Sequence, residues 1–188
     1  MSRARSPHRL TAPHRVATSP LARRALRDHV RDYRMKGTRE FHGKAAAVVA
    51  APQEVCMALA AGVDRYPDWC PDVIREVDVL DRGDNGQPTS VRMKMRVARG
   101  GLVKEFNLFL AIVVEPPGSV KLTRVTDHPT NQEFNATWTL RPAASTRVTL
   151  ELDAKLRVPW YIRADGIGDS IAEAFVSAGS KRLATPSQ

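Results

Sequence analysis

Apolar and polar residues alternate along most of the chain after residue 73. In "TSVRMKMRVA" (89–98), Val91, Met93, Met95 and Val97 fall on one face and Arg92, Lys94 and Arg96 on the other. Period two is the mark of a strand with one buried face. "QEFNATWTLRP" (132–142) puts Phe134, Ala136, Trp138 and Leu140 together, and "STRVTLELDAKLRV" (145–158) does the same with Val148, Leu150, Leu152, Ala154 and Leu156. "VIREVDVLDR" (73–82), "LVKEFNLFLAIVVE" (102–115) and "SVKLTRVT" (119–126) also read as strands, as does the early run "GKAAAVVAAP" (43–52). The segments between them are turns: Asn85-Gly86 in "DNGQP" is a hairpin signal, and "RGG", "PPG" and "DHPTN" break the pattern elsewhere.

Two regions depart from period two. Pro52 opens "PQEVCMALAAGV" (52–63), a short helix with Val55, Met57, Ala58 and Ala61 as its apolar face, and a second helical turn follows near 64–69. After Pro159, Ile167, Ile171, Ala174, Phe175 and Ala178 recur at helical spacing, and Lys181 and Arg182 suit a helix C-terminus. Gly166, Gly168, Ala172, Ala174 and Ala178 make this helix slim. The order of elements predicts an α+β fold. It is a strongly curved antiparallel sheet of about seven strands wrapped around a long C-terminal helix, with two short helices after the first strand. The expectation is that sheet and slim helix leave an internal hollow.

Charge changes the picture only at one end. The chain has 188 residues and a net charge of +9, yet residues 1–42 alone carry ten Arg and one Lys against Asp28, Asp32 and Glu40. The remainder is close to neutral. A nucleic-acid role argued from the overall charge would therefore rest on the tail, and no specific nucleic-acid partner is expected. The domain boundaries read as 1–40, a basic and largely disordered extension with a helix predicted over 20–35; 41–184, the folded domain; and 185–188, a tail. The extension lacks the apolar core of a secretory signal. No apolar run approaches the ~18 residues of a membrane span, which points to a soluble protein with at most peripheral membrane contact.

Cys56 and Cys70 are too few for a disulfide framework or a zinc site, and they read as free thiols in a reducing cytoplasm. No metal or cofactor is expected. After residue 42 the sequence has a single histidine, His128, in a polar loop, so no Ser-His-Asp arrangement emerges. "DGIGDS" (165–170) lacks the spacing of a dinucleotide fingerprint. Three polar residues on strands are candidates for the interior: Glu105, Arg124 and Asn135. Arg124 shares parity with Val120 and Leu122, which leaves two readings: it projects inward as an anchor for a carboxylate or phenol, or, lying near a strand end, it reaches solvent.

The stretch "DRYPDWCPDV" (64–73) carries Tyr66, Trp69 and Cys70 between two prolines that stiffen it into a corner. Together with Ala51, Pro52, Val55, Cys56, Pro71, residues 77–80 and Asn85-Gly86, it resembles the START-like, helix-grip superfamily. The similar branch is the polyketide cyclase/dehydrase and coenzyme Q-binding group. Residues 137–142 and 145–153 match as well, and the resemblance covers about 44–183. The family often has a large aromatic where this chain has Cys56. The resemblance implies the helix-grip fold and puts Trp69 near a cavity entrance, either as the plug of the sheet's end or as a cap on a ligand.

Inward parity and the resemblance together give a ligand-lining set. It comprises Trp69, Val77, Met93, Met95, Phe106, Leu108, Leu122, Arg124, Phe134, Trp138, Leu150, Ile167, Ile171 and Phe175. The implied function is binding or transport of a hydrophobic small molecule, lipid, polyketide or quinone-like, with no evident catalytic constellation. One alternative is a polyketide cyclase, aromatase or dehydrase using Arg124 and Tyr161 in the same space. A second is a ribosome- or membrane-associated factor using the basic arm.

Overall fold

The runs read as strands form strands, and they join into one sheet in which the second to the seventh follow sequence order and the first lies beside the last. The computed structural model describes residues 36–99, 102–126, 132–143, 145–159 and 165–184. Seven strands, β1 (Lys36–Val49), β2 (Ile74–Arg82), β3 (Pro88–Arg99), β4 (Leu102–Glu115), β5 (Ser119–Arg124), β6 (Glu133–Arg141) and β7 (Thr146–Pro159), lie in the order β1-β7-β6-β5-β4-β3-β2. Neighbours from β2 through β7 pair antiparallel. β1 and β2 are the two edges. Between them in sequence come α1 (Gln53–Ala61), a 3-10 turn (Val63–Arg65) and α2 (Tyr66–Trp69), and the chain closes with α3 (Ile167–Ala184).

The register puts the predicted apolar faces on one side. Val91 pairs with Leu110, Met93 with Leu108, Leu110 with Arg124, Leu122 with Ala136, Trp138 with Leu150 and Ala136 with Leu152. A pair shares a face in a pleated sheet, so the inner surface is a continuous apolar field closed by α3. The opposite face carries charge, largely neutralised in cross-strand pairs such as Arg92–Asp78, Lys94–Glu105 and Lys121–Glu115. The cationic outer face read from β3 is thus offset by acids on its neighbours.

The short helices are fastened to the sheet by a few polar contacts. Gln53 donates from Nε2 to the Leu140 carbonyl at 2.9 Å, and the Thr146 hydroxyl donates to the Ala51 carbonyl at 2.6 Å. The N-terminus of α3 is held differently. Gly43 of β1 and Gly168 of α3 touch backbone to backbone, and a Cβ on Gly168 would lie 2.2 Å from the His42 carbonyl oxygen. The Lys44 N–H donates to Asp169 Oδ1 at 3.1 Å beside this contact.

Two details differ from the sequence reading. β1 begins at Lys36, within the segment assigned to the extension. Phe41 is buried there while Arg39, Glu40 and His42 are exposed, so pairing with β7 rather than apolar content makes this stretch a strand. In α1 the buried residues are Cys56, Ala60 and Ala61, whereas Val55 and Ala58 face solvent. A helix with apolar residues nearly all round carries little periodic information, and tertiary packing selected the face. The helix predicted over 20–35, His128 and Tyr161 lie outside the described residues.

Candidate ligand site

The inner face of the grip changes character from one end to the other. Beneath the middle and C-terminal half of α3, four rings pack edge to face. Tyr66 lies 4.9 Å from Trp69 and 5.7 Å from Phe175, and Phe175 lies 6.0 Å from Trp69 and 6.2 Å from Trp138. Such geometry matches the positive edge of one ring to the negative face of the next. The Tyr66 hydroxyl donates to the Ala60 carbonyl at 2.6 Å and interacts with the Trp138 side chain; burial pushes its pKa well above the ordinary value. Tyr66 therefore serves as a neutral donor that ties α2 to α1.

At this end of the grip the expected hollow is filled. Met93, Met95, Leu122, Phe134, Trp138, Leu150 and Phe175, with Tyr66, Ile74, Ala136 and Leu152, surround a void of about 10 Å³. That is space for about one water and no organic ligand. A slim helix was expected to leave room. Instead, small residues let it descend: the Gly43–Gly168 contact brings α3 onto β1, and Gly179 brings it onto Trp69, where an added Cβ would be 3.6 Å from the ring. A second void of about 10 Å³ lies between α1, Trp138 and the last turns of α3.

The other end is less covered. Along β3 the inner residues Val91, Met93 and Met95 are fully buried, whereas Val97 is partly buried against the core. Along β4, Leu110 and Leu108 are buried, Phe106 is partly buried against the core and Lys104 is exposed. Lys104 Nζ lies 6.0 Å from the Phe106 ring centroid. Arg124 closes β5 on the same face, opposite Leu110 and next in register to Phe134. Its side chain is half-buried; Nη1 is fully buried without a hydrogen-bond partner among the described residues, and desolvation lowers the guanidinium pKa. Ile167 and Ile171 present the first turns of α3 to the sheet.

The expected lining set therefore divides. Trp69, Trp138, Leu150 and Phe175 belong to the packed block, and Met93, Met95, Leu122 and Phe134 bridge from it. Phe106, Leu108, Arg124, Ile167 and Ile171 lie toward the less covered end. Val77 is half-buried on β2, paired with Met93. Of the polar candidates only Arg124 turns inward. Glu105 pairs with Lys94 on the outer face, and Asn135 is exposed there. Lys104 was legible by parity with Phe106 and Leu108 but was not singled out.

Two surface grooves flank Trp69 at the packed end. One, of about 480 Å³, runs past Asp68, Asp72, Ser177, Lys181 and Arg182; the other, of about 460 Å³, passes Val55, Ala58, Leu59, Arg65 and Leu183. Both are open to solvent, and Trp69 Nε1 is buried without a hydrogen-bond partner among the described residues. Cys56 and Cys70 are buried free thiols, and the described residues hold no cluster of His, Cys, Asp and Glu suited to a metal ion. No helix among them is long and apolar enough to cross a membrane.

This architecture has known counterparts. Residues 49–165 match the family described as polyketide cyclase/dehydrase and lipid transport, and the chain belongs to that family. Among solved structures it is similar to a START superfamily protein from Mycobacterium smegmatis, with 19% identity, a TM-score of 0.61, and coverage of 79% of this chain and 98% of that one. It is also similar to major latex-like protein 151 from Panax ginseng (12% identity, TM-score 0.56, 78% of this chain and 99% of that one). The di-domain ARO/CYC BexL of the BE-7585A biosynthetic pathway aligns at 12% identity and TM-score 0.57, over 89% of this chain and 61% of that one. At such identities the likeness is one of fold. No curated protein matches the sequence.

Proposed function

We propose that this protein binds a hydrophobic small molecule, lipid, polyketide or quinone-like, at the less covered end of the grip. The ligand would lie against Val97, Phe106, Phe134 and the first turns of α3. The observation that carries this reading is the gradient on the inner face. Val91 and Leu110 are 0% exposed, while Val97 and Phe106, further along the same strands, are only half-buried. Apolar side chains on the concave side of a sheet are left uncovered where a guest can cover them, each Å² removed from water contributing about 25 cal/mol. Family membership supports the same reading. Two buried free thiols suit a reducing, cytoplasmic setting.

Binding is favoured over catalysis. Arg124 is a permanent cation, able to hold an oxyanion but not to exchange a proton near neutrality. A cyclisation or dehydration in this space would call on a second, titratable group.

The test is native mass spectrometry of gently purified protein, followed by titration with the neutral dye N-phenyl-1-naphthylamine. Co-purifying apolar mass, or dye binding that this mass displaces, is the expected result. Protein that carries no guest and leaves the dye dark would overturn the reading.

A further inference from the structure

Arg124 is out of keeping with the rest of the inner face. Its neighbours in register, Leu110 and Phe134, are buried and apolar, as is Leu122 two residues before it. Among the described residues no carboxylate shares that face: Glu105, Glu115, Glu133, Glu151 and Asp153 all point to the exposed side. Several basic residues elsewhere on the sheet pair with acids, as in Arg92–Asp78, Lys44–Glu151 and Lys155–Glu40. Among the described residues Arg124 has no such partner, and its Nη1 is buried with no acceptor among them.

A buried guanidinium nitrogen with no acceptor is costly, and the fold leaves it uncompensated. A group that enters the grip with an anionic oxygen would supply the missing acceptor. The planar fork of Arg suits a carboxylate or an equivalent oxyanion, and low local polarity strengthens the bond. Lys104, exposed beside Phe106 on the same face, adds positive potential at the lip. The packed block sets the other limit. Trp138 is four residues from Phe134 along β6, about 13 Å, so a ligand held at Arg124 meets aromatic rings after a short apolar body.

We propose that Arg124 anchors the anionic oxygen of a short amphiphile, with the apolar body of that ligand lying toward Phe106 and α3. This rests on the reading of the less covered end as the binding site and assigns the class of guest it takes.

Matched competitors test it on the wild-type protein. Decanoate and 1-decanol share a chain and differ in the charged group, and each is titrated against bound N-phenyl-1-naphthylamine. Decanoate is expected to displace the dye at about tenfold lower concentration than decanol or better. Arg124→Met should remove that preference, read as the ratio of the two competitors' midpoints within the variant, and Arg124→Lys should restore part of it. Equal displacement by acid and alcohol in wild type overturns the anchor even if the site binds dye. A preference that survives Arg124→Met does so as well. A wild-type protein that binds no dye fails at the earlier step and takes the anchor with it.

Discussion

Gly43 and Gly168 meet with no side chain between them: a Cβ on Gly43 would lie 2.1 Å from the carbonyl carbon of Gly168. This crossing of β1 and α3 sets how deeply the terminal helix sits in the sheet. It brings a helix rich in small residues down onto the sheet, where Phe175 packs into the aromatic block. The binding space we propose accordingly lies not at the centre of the grip but at the end where Phe106 and Arg124 lie.

Gly168→Ala should therefore act on both stability and site shape. The methyl would press on the backbone of His42, which cannot rotate away as a flexible side chain would. A loss of about 2–3 kcal/mol is expected from urea unfolding. Gly86→Ala is the control. Its site is open but has φ +75°, so the cost there is strain alone, about 1 kcal/mol. Equal small effects at both positions would mean that the helix is not pinned at this crossing.

The aromatic block should behave as core. Phe175 touches Tyr66, Trp69 and Trp138 together, and Phe175→Ala should cost about 3–5 kcal/mol. It should also extend the binding space, so tetradecanoate gains affinity relative to decanoate. Tyr66→Phe keeps the ring but leaves the Ala60 carbonyl without its donor, for about 1–3 kcal/mol. Wild-type stability in Tyr66→Phe would show that the hydroxyl is not holding α2 to α1.

Much of this was readable in advance because period two is a local property. Val91, Met93, Met95 and Val97 declare their face without reference to any other strand, and Arg124 follows from Val120 and Leu122 in the same way. The filling of the interior was not readable. It depends on whether Tyr66, Trp69, Trp138 and Phe175, distant in sequence, converge on one volume, and on how close α3 approaches. The glycines of α3 were noticed as small; that Gly168 serves to admit the backbone of β1 requires knowing what crosses it. α1 was misread at Val55 and Ala58 because its pattern favours no face, and β1 was begun late because pairing with β7, not composition, extends it to Lys36.

The thiols give a pH signature. Burial, then the nearby Asp72 charge, pushes Cys70 up to about 11 from its ordinary 9.0, against a lowering by the Val73 backbone, and Tyr66 is raised by burial. A raised folded pKa means that the unfolded chain releases its proton first. The contribution is whole below about 9 and is lost as pH rises through the folded value. Urea midpoints should hold steady below about pH 9 and fall above it, less steeply in Cys70→Ala. Labelling with Ellman's reagent at pH 8 should be slow for the native protein and fast in urea, since both thiols are buried. Rapid native labelling would contradict the packing around α1 and α2.

The location of the guest is the point on which the rest depends, and a heteronuclear NMR titration with N-phenyl-1-naphthylamine addresses it directly. Shifts concentrated at Val97, Phe106, Phe134, Arg124 and Ile167, with Leu59 and Arg182 unmoved, are the predicted result. Shifts centred on Leu59, Trp69 and Arg182 would place the guest in the grooves at the packed end and contradict the account.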